Sequence, residues 1–333
     1  MSHKVTWKKG MRLSTNVFDA MDSAHESIAK VLAQMASAGR YGLIPSTKPF
    51  ELSVNIGNNI LEVVSLNCRG ITKSGKIVDI AFDSNYTNTF DARVPIHSDN
   101  GEESFLLIVK MLENQWREID ELYSEASYVF ELIGENSPID NDSLPIGRII
   151  NQYGWRLDVA DFIPPCLYVK SHYKYEELAA RCRDVAKAIF DKCLSAPNCV
   201  AKKLIASIWS GASQAMCITD KERGTLTPGR LYSAVQQLVN SFLIGCTVDE
   251  YINLENKEPF VLYSQMPFDE KNLYRDIEHG LSLCGEIEIK MDAVCAMSEI
   301  KQEPAEAPIR PQKPQPTEDP KAAARKRWEG IEI

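Results

Sequence analysis

Residues 158–173, DVADFIPPCLYVKSHY, stand where the hydrophobic period of the chain changes. Before them, short runs rich in β-branched residues recur; from Tyr173 onward, apolar residues return at helical spacing. The reading of this stretch therefore decides where one kind of structure hands over to another. Pro164 restricts Ile163 to extended backbone, and Pro165 does the same to Pro164. Neither proline can donate to a sheet ladder, which confines the pair to the start of a strand or to an edge. Asp161 precedes Phe162, Ile163 and Leu167, which anchor the turn apolarly. Asp161, Phe162, Ile163, Pro164, Pro165, Cys166 and Leu167 together read as a stiff structural corner.

The competing reading makes Cys166 a nucleophile in a shaped loop. A reactive cysteine needs a base and an electropositive setting that lowers its pKa. Here the local charges are Asp158 and Asp161, which act the other way. Residues 166–171 read as a strand, and at strand rise His172 lies roughly 20 Å from Cys166, too far for proton transfer. Free cysteine is among the most buried residue types, so the core reading is preferred.

Upstream, residues 14–38 form an expected helix, capped by Ser14 or Thr15 and ended by Gly39, with Ile28, Val31, Leu32 and Met35 as its apolar stripe. From Lys48 the pattern is that of strands. ILEVVSLNCRGITKSGKIVDIAF (60–82) gives two strands around a KSGK turn, and residues 105–110, 128–133 and 143–150 give three more. Many short strands favour a sandwich or barrel-like domain over residues 1–172, with the helix at its start.

Downstream, the first helical stripe carries Leu178, Val185 and Ile189, and the second Leu204 and Ile208. The third opens at TPGRLY, with Thr227 as N-cap and Pro228 at the first helical position, where its missing N–H costs nothing. Its apolar residues are Leu231, Tyr232, Val235, Leu238 and Phe242. These stripes predict a helical bundle over 173–247 that also packs between copies, so that Val235→Asp or Leu238→Asp would separate them. A further helix is expected from Asp269 to about Leu283, within a short region 248–298. The whole is α+β and multidomain.

The chain has 333 residues, 44% hydrophobic and 25% charged, as in an ordinary globular protein. A formal charge of −9 argues against nucleic acid as a partner. Nine cysteines without a CxxC fit reduced thiols better than a disulfide framework. The opening lacks the apolar segment of a secretory signal, and no run reaches membrane-spanning length, so a cytoplasmic location is expected. No Walker or dinucleotide-binding glycine pattern occurs, and the five histidines stand apart. No catalytic residue, cofactor or metal is expected, nor an enzyme.

Six prolines among charged and small residues fill KQEPAEAPIRPQKPQPTEDP (301–320), so 299–333 reads as a disordered tail. At its end Arg325, Lys326 and Arg327 reverse the sign of an acidic chain beside Trp328 and Ile331. That combination is a candidate docking segment.

Four segments resemble the TssK baseplate subunits of bacterial type VI secretion systems over roughly residues 1–245. The most specific is LPIGRI followed by LDVADFIPPCLYV. VTWKKGMRLSTNVFDAMD resembles the family's opening through Trp7, Gly10 and Phe18, and CRGITKSGKIVDI its strand-turn-strand. TPGRLYSAVQQLVNSF resembles its helix start, with Thr227 where the family has histidine. The resemblance implies a non-enzymatic homotrimeric adaptor. Its N-terminal β domain would resemble the shoulder domain of phage receptor-binding proteins and dock onto a TssF/TssG wedge, and its helices would trimerise. The chain would lie at the inner face of the inner membrane through partners. Past Phe242 the family's membrane-facing domain looks reduced, which leaves the membrane-side or replacement anchoring component to the tail. Two other classes compete: a phage-like receptor-binding or tail protein, and a cysteine-dependent enzyme using Cys166.

Overall fold

The structure, a computed structural model, describes residues 14–83, 92–97, 103–118, 124–222, 224–254, 256–269 and 272–297, together with 8, 9 and 12. The tail 299–333 with its candidate docking segment, like Trp7 and Gly10, lies outside the described residues.

The chain opens with α1 (Thr15–Ala36) and then builds two antiparallel sheets. The first sheet is organised by one long strand, β3 (Ile60–Ile71). β1 (Gly42–Leu43) and β2 (Glu51–Gly57) run along one of its edges, and β4 (Ile77–Asp83) and β5 (Arg93–Pro95) along the other. Asn58 and Asn59, at φ +53° and +57°, make the two-residue hairpin between β2 and β3. Both positions of such a turn need positive φ, which asparagine tolerates better than most residues. The second sheet runs β7 (Ser124–Gly134), β6 (Ser104–Glu118), β8 (Ser143–Asn151), β9 (Trp155–Leu157).

Alternation along the strands produces a sandwich. On β4, Val78, Ile80 and Phe82 are buried while Asp79 and Ala81 face out. Their buried side meets Leu107, Val109, Leu144 and Ile149 of the second sheet in one core.

Among the described residues five α-helices follow: α2 (Tyr173–Leu194), α3 (Lys202–Lys221), α4 (Pro228–Val248), α5 (Glu258–Ser264) and α6 (Leu273–Cys295). They share a second core. Thr227 caps α4 as expected, its hydroxyl accepting from the Arg230 N–H at 3.2 Å. The N-terminus of α3 is capped from afar: Asp249, just past α4, accepts from the N–H groups of Lys203 and Leu204 at 3.0 and 3.1 Å. That carboxylate satisfies two orphan donors and sits at the positive end of the helix dipole.

Three expectations change. Residues 166–171 are not a strand: a single parallel bridge joins Cys166 to Leu43, and Val169–Ser171 is one 3₁₀ turn. The last helix starts later and runs longer than residues 269–283, and α5 and α6 belong to the same core as α2–α4 rather than to a region of their own. The apolar stripe of α1 does not enter a core. Val31, Leu32 and Met35 are 50%, 60% and 74% exposed, and Ile28 is exposed too. The helix instead rests on its small-residue face through Ala33, which packs with Ile71 and Leu167, and through Gln34, which donates to the Ser74 carbonyl of the KSGK turn at 2.9 Å.

Candidate functional site

Strands pack chiefly on strands and helices on helices, and the two parts meet through the 158–172 corner. The corner is held from both sides. On the sandwich side the Leu43 N–H donates to the Pro165 carbonyl at 2.7 Å, and the Leu167 N–H returns to the Leu43 carbonyl at 2.9 Å. This approach requires Gly42, whose φ is +138°: a Cβ there would stand 2.4 Å from the Pro165 oxygen.

Arg148 of β8 completes the sandwich side. It donates to Asp158 from Nε (2.9 Å) and Nη2 (2.5 Å), and to Glu135 from Nη1 (2.9 Å). Burial pushes the Asp158 carboxyl up, but the Asp161 N–H and the Arg148 guanidinium outweigh it and leave the pKa below the usual range. A buried charge placed this way is stable because it is both paired and hydrogen-bonded.

On the helical side, Lys174 of α2 donates to the carbonyls of Val159 and Ala160 at 2.6 and 2.9 Å, and Arg275 of α6 pairs with Asp161 at 2.8 Å. The Val169 N–H donates to the Leu226 carbonyl at 2.7 Å, tying the corner's exit to the turn before α4. Prolines that fix φ, with anchors to both cores, make this stretch a rigid joint.

The joint holds its cysteine as the protonated thiol. The Cys166 thiol donates to the Pro164 carbonyl at 3.2 Å, and burial, then neighbouring Cys68, pushes its pKa far up. His172 is the N-cap of α2, its Nδ1 accepting from the Lys174 N–H at 3.3 Å. Burial, and then Lys174, lower its pKa to about 4, so it is neutral at pH 7 and serves as an acceptor. Local charge patterns carried no sign of the His172 cap; the helical period restarting at Tyr173 was the usable signal. Among the described residues no group of three or more ligating side chains is placed to hold a metal.

The residues expected to serve both bundle and trimer lie inside one chain. Leu178, Ile189, Leu204, Ile208, Leu231, Tyr232, Val235, Leu238 and Phe242 are buried in the helical core, with Val185 packed against it. They are not a surface for a second copy. The physical reason is α6, which covers the faces of α2 and α4 that a three-helix reading left open. Exposed apolar side chains stand elsewhere: on the α1 stripe, and at Trp209, Ile244 and Val248.

The fold is that of TssK. A crystal structure of TssK aligns with a TM-score of 0.57 at 15% identity, over 87% of this chain and 69% of that one. A chain of the TssK-TssF-TssG baseplate subcomplex of a type VI secretion system, solved by cryo-electron microscopy, aligns at 0.54 and 14%, over 87% of this chain and 100% of that one. TssK of the EAEC type VI system in complex with nanobody nb18 aligns at 0.51 and 13%, covering 81% and 69%. At such identities the likeness is one of fold. No protein-family model matches the sequence, and no curated protein matches it.

Proposed function

We propose that this chain is a non-catalytic structural adaptor of a type VI secretion baseplate. The fold likeness to TssK, including a chain of the TssK-TssF-TssG subcomplex covered over its whole length, carries the reading. In this proposal the chain works as a homotrimer, and TssF and TssG are its wedge partners. Its place is the cytoplasmic side of the inner membrane, reached through partners; among the described residues no helix is long and apolar enough to cross a membrane.

Two features support an assembly role. Hydrogen bonds and an ion pair tie the joint to both the sandwich and the bundle, an arrangement that suits passing a load from one part to the other. The α1 stripe of Ile28, Val31, Leu32 and Met35 leaves a continuous apolar face in water, the usual mark of a surface that a partner covers. The tail segment Arg325–Ile331 is proposed to dock on a membrane-side component, a role that its basic and aromatic residues suit.

Co-expression with the TssF and TssG proteins of the same genome tests the reading. The expected result is a co-purifying complex, with the isolated chain sedimenting at three times its 37.4 kDa mass. A monomer that captures neither protein would refute it. Removing residues 304–333 is expected to leave the trimer and wedge binding intact while abolishing one membrane-side contact; retention of every contact would remove the tail from the proposal.

A further inference from the structure

A cavity of about 390 Å³ opens between the sandwich and the helices, with the proline corner as one wall. That volume is within the range of ligand pockets, roughly 300–1,000 Å³. Arg40, Tyr41 and Lys73 line it from the sandwich side, and Phe268, Leu273 and Tyr274 from the helical side.

Its charge is unlike that of the chain. Four cationic side chains line it (Arg40, Lys73, Arg148, Arg275) against two carboxylates, Glu135 and Asp161, in a protein of net charge −9. Both carboxylates are committed, Glu135 to Arg148 at 2.9 Å and Asp161 to Arg275 at 2.8 Å. Arg40 and Lys73 remain. Arg40 donates from Nε to the Ser37 carbonyl at 3.3 Å, and the Lys73 ammonium stands 4.8 Å from the centre of the Tyr41 ring. Neither has a carboxylate partner among the described residues. Across the cavity Phe268 is 51% exposed, an aromatic ring left at the rim.

We propose that this cavity is a docking site for an acidic peptide segment of a partner protein. One aromatic or branched aliphatic side chain of the segment enters beside Phe268, and its carboxylates meet Arg40 and Lys73. The uncompensated cations supply the charge complementarity. They stand on one wall and the exposed ring on the other. An occupant touching both carries its acidic and apolar groups at separate places, as successive side chains of a peptide do. The aromatic rim offers an anchor pocket of the kind in which binding energy concentrates. This goes beyond the adaptor reading and stands on the cavity alone: wedge binding and trimerisation can survive its failure.

Random peptides displayed on phage are selected on the full wild-type chain, and the enriched sequences are synthesised with a fluorescein label. Binding is measured by anisotropy to the wild type, to Arg40→Glu/Lys73→Glu and to Phe268→Ser. The enriched peptides are expected to combine Asp or Glu with a large apolar residue and to weaken in raised salt. Each variant is expected to lose about tenfold or more in affinity while remaining folded by circular dichroism, since Arg40 and Phe268 are exposed and Lys73 is only half-buried. No enrichment, enriched peptides without acidic residues, or equal affinity for all three proteins would each overturn the proposal. Cavity-dependent binding of anilinonaphthalene sulfonate without any peptide enrichment would make it a small-anion pocket and overturn it as well.

Discussion

Gly42→Ala tests the joint most directly. At φ +138° the backbone of residue 42 lies where only glycine is at ease, and holding alanine there costs about 1–3 kcal/mol. The new methyl would also stand 2.4 Å from the Pro165 oxygen, 2.6 Å from its carbonyl carbon and 2.9 Å from the Cys166 nitrogen. Ordinary contact begins at 3.4 Å, so two backbones must separate by about 1.0 Å (3.4 − 2.4). No flexible side chain is available to give way. The separation stretches the 2.7 Å bond from Leu43 to Pro165, and a buried donor left unsatisfied costs about 1–3 kcal/mol. The two effects together give roughly 2–6 kcal/mol. Gly39→Ala is the control: φ is +74° there too, but nothing lies within 4 Å of the added methyl. It should cost only about 1–2 kcal/mol, the conformational share. Urea unfolding followed by far-ultraviolet circular dichroism compares the two, and thiol labelling of Cys166 reports whether the corner has opened. If Gly42→Ala is no worse than Gly39→Ala and Cys166 stays unreactive, the close approach is not what holds the corner.

Cys166→Ala should lower stability by about 1–3 kcal/mol through lost packing while leaving assembly intact; rapid labelling of Cys166 in the native protein, or a folded Cys166→Ser without function, would make the thiol chemically active instead. His172 should make the fold acid-sensitive. Its folded pKa of about 4 lies below the unfolded 6.5, so the unfolded chain binds the extra proton. Stability is therefore full above pH 6.5 and falls as pH drops towards 4, by about 2 kcal/mol at pH 5. His172→Asn keeps a capping acceptor and should flatten that slope between pH 7 and 5; an unchanged slope would assign the acid sensitivity to other groups. Val235→Asp and Leu238→Asp should unfold the helical part by leaving an unpaired charge in its core, costing about 3–5 kcal/mol, and a folded monomer from either would contradict their placement. Leu32→Asp on α1 should leave the melting temperature of the isolated chain unchanged while weakening self-association or wedge binding in sedimentation and pull-down, and a variant that assembles normally would deny the stripe an interface role.

Much of this protein was legible from residues read in order. The two prolines before Cys166, the Thr227–Pro228 start of α4, the KSGK turn and the shift of period at Tyr173 all act within four residues of themselves, the range over which φ restrictions, caps and turn bonds operate. The α+β character follows from such local rules, and the resemblance to TssK was borne out at the level of the fold. What local rules do not carry is which surfaces meet. The stripe on α1 has the spacing of a core face, yet the hairpin turn takes the opposite side of that helix through Ala33 and Gln34. The stripes of α2 and α4 look partly unpartnered until α6 closes over them. Asp249 caps a helix through the Lys203 N–H, 46 residues before it, and Gly42 is glycine because residue 165 passes beside it. These contacts join segments far apart in the chain, where their energy depends on the relative placement of whole elements. Hydrophobic periodicity states that a face wants burial; only the tertiary packing decides which partner, if any, provides it.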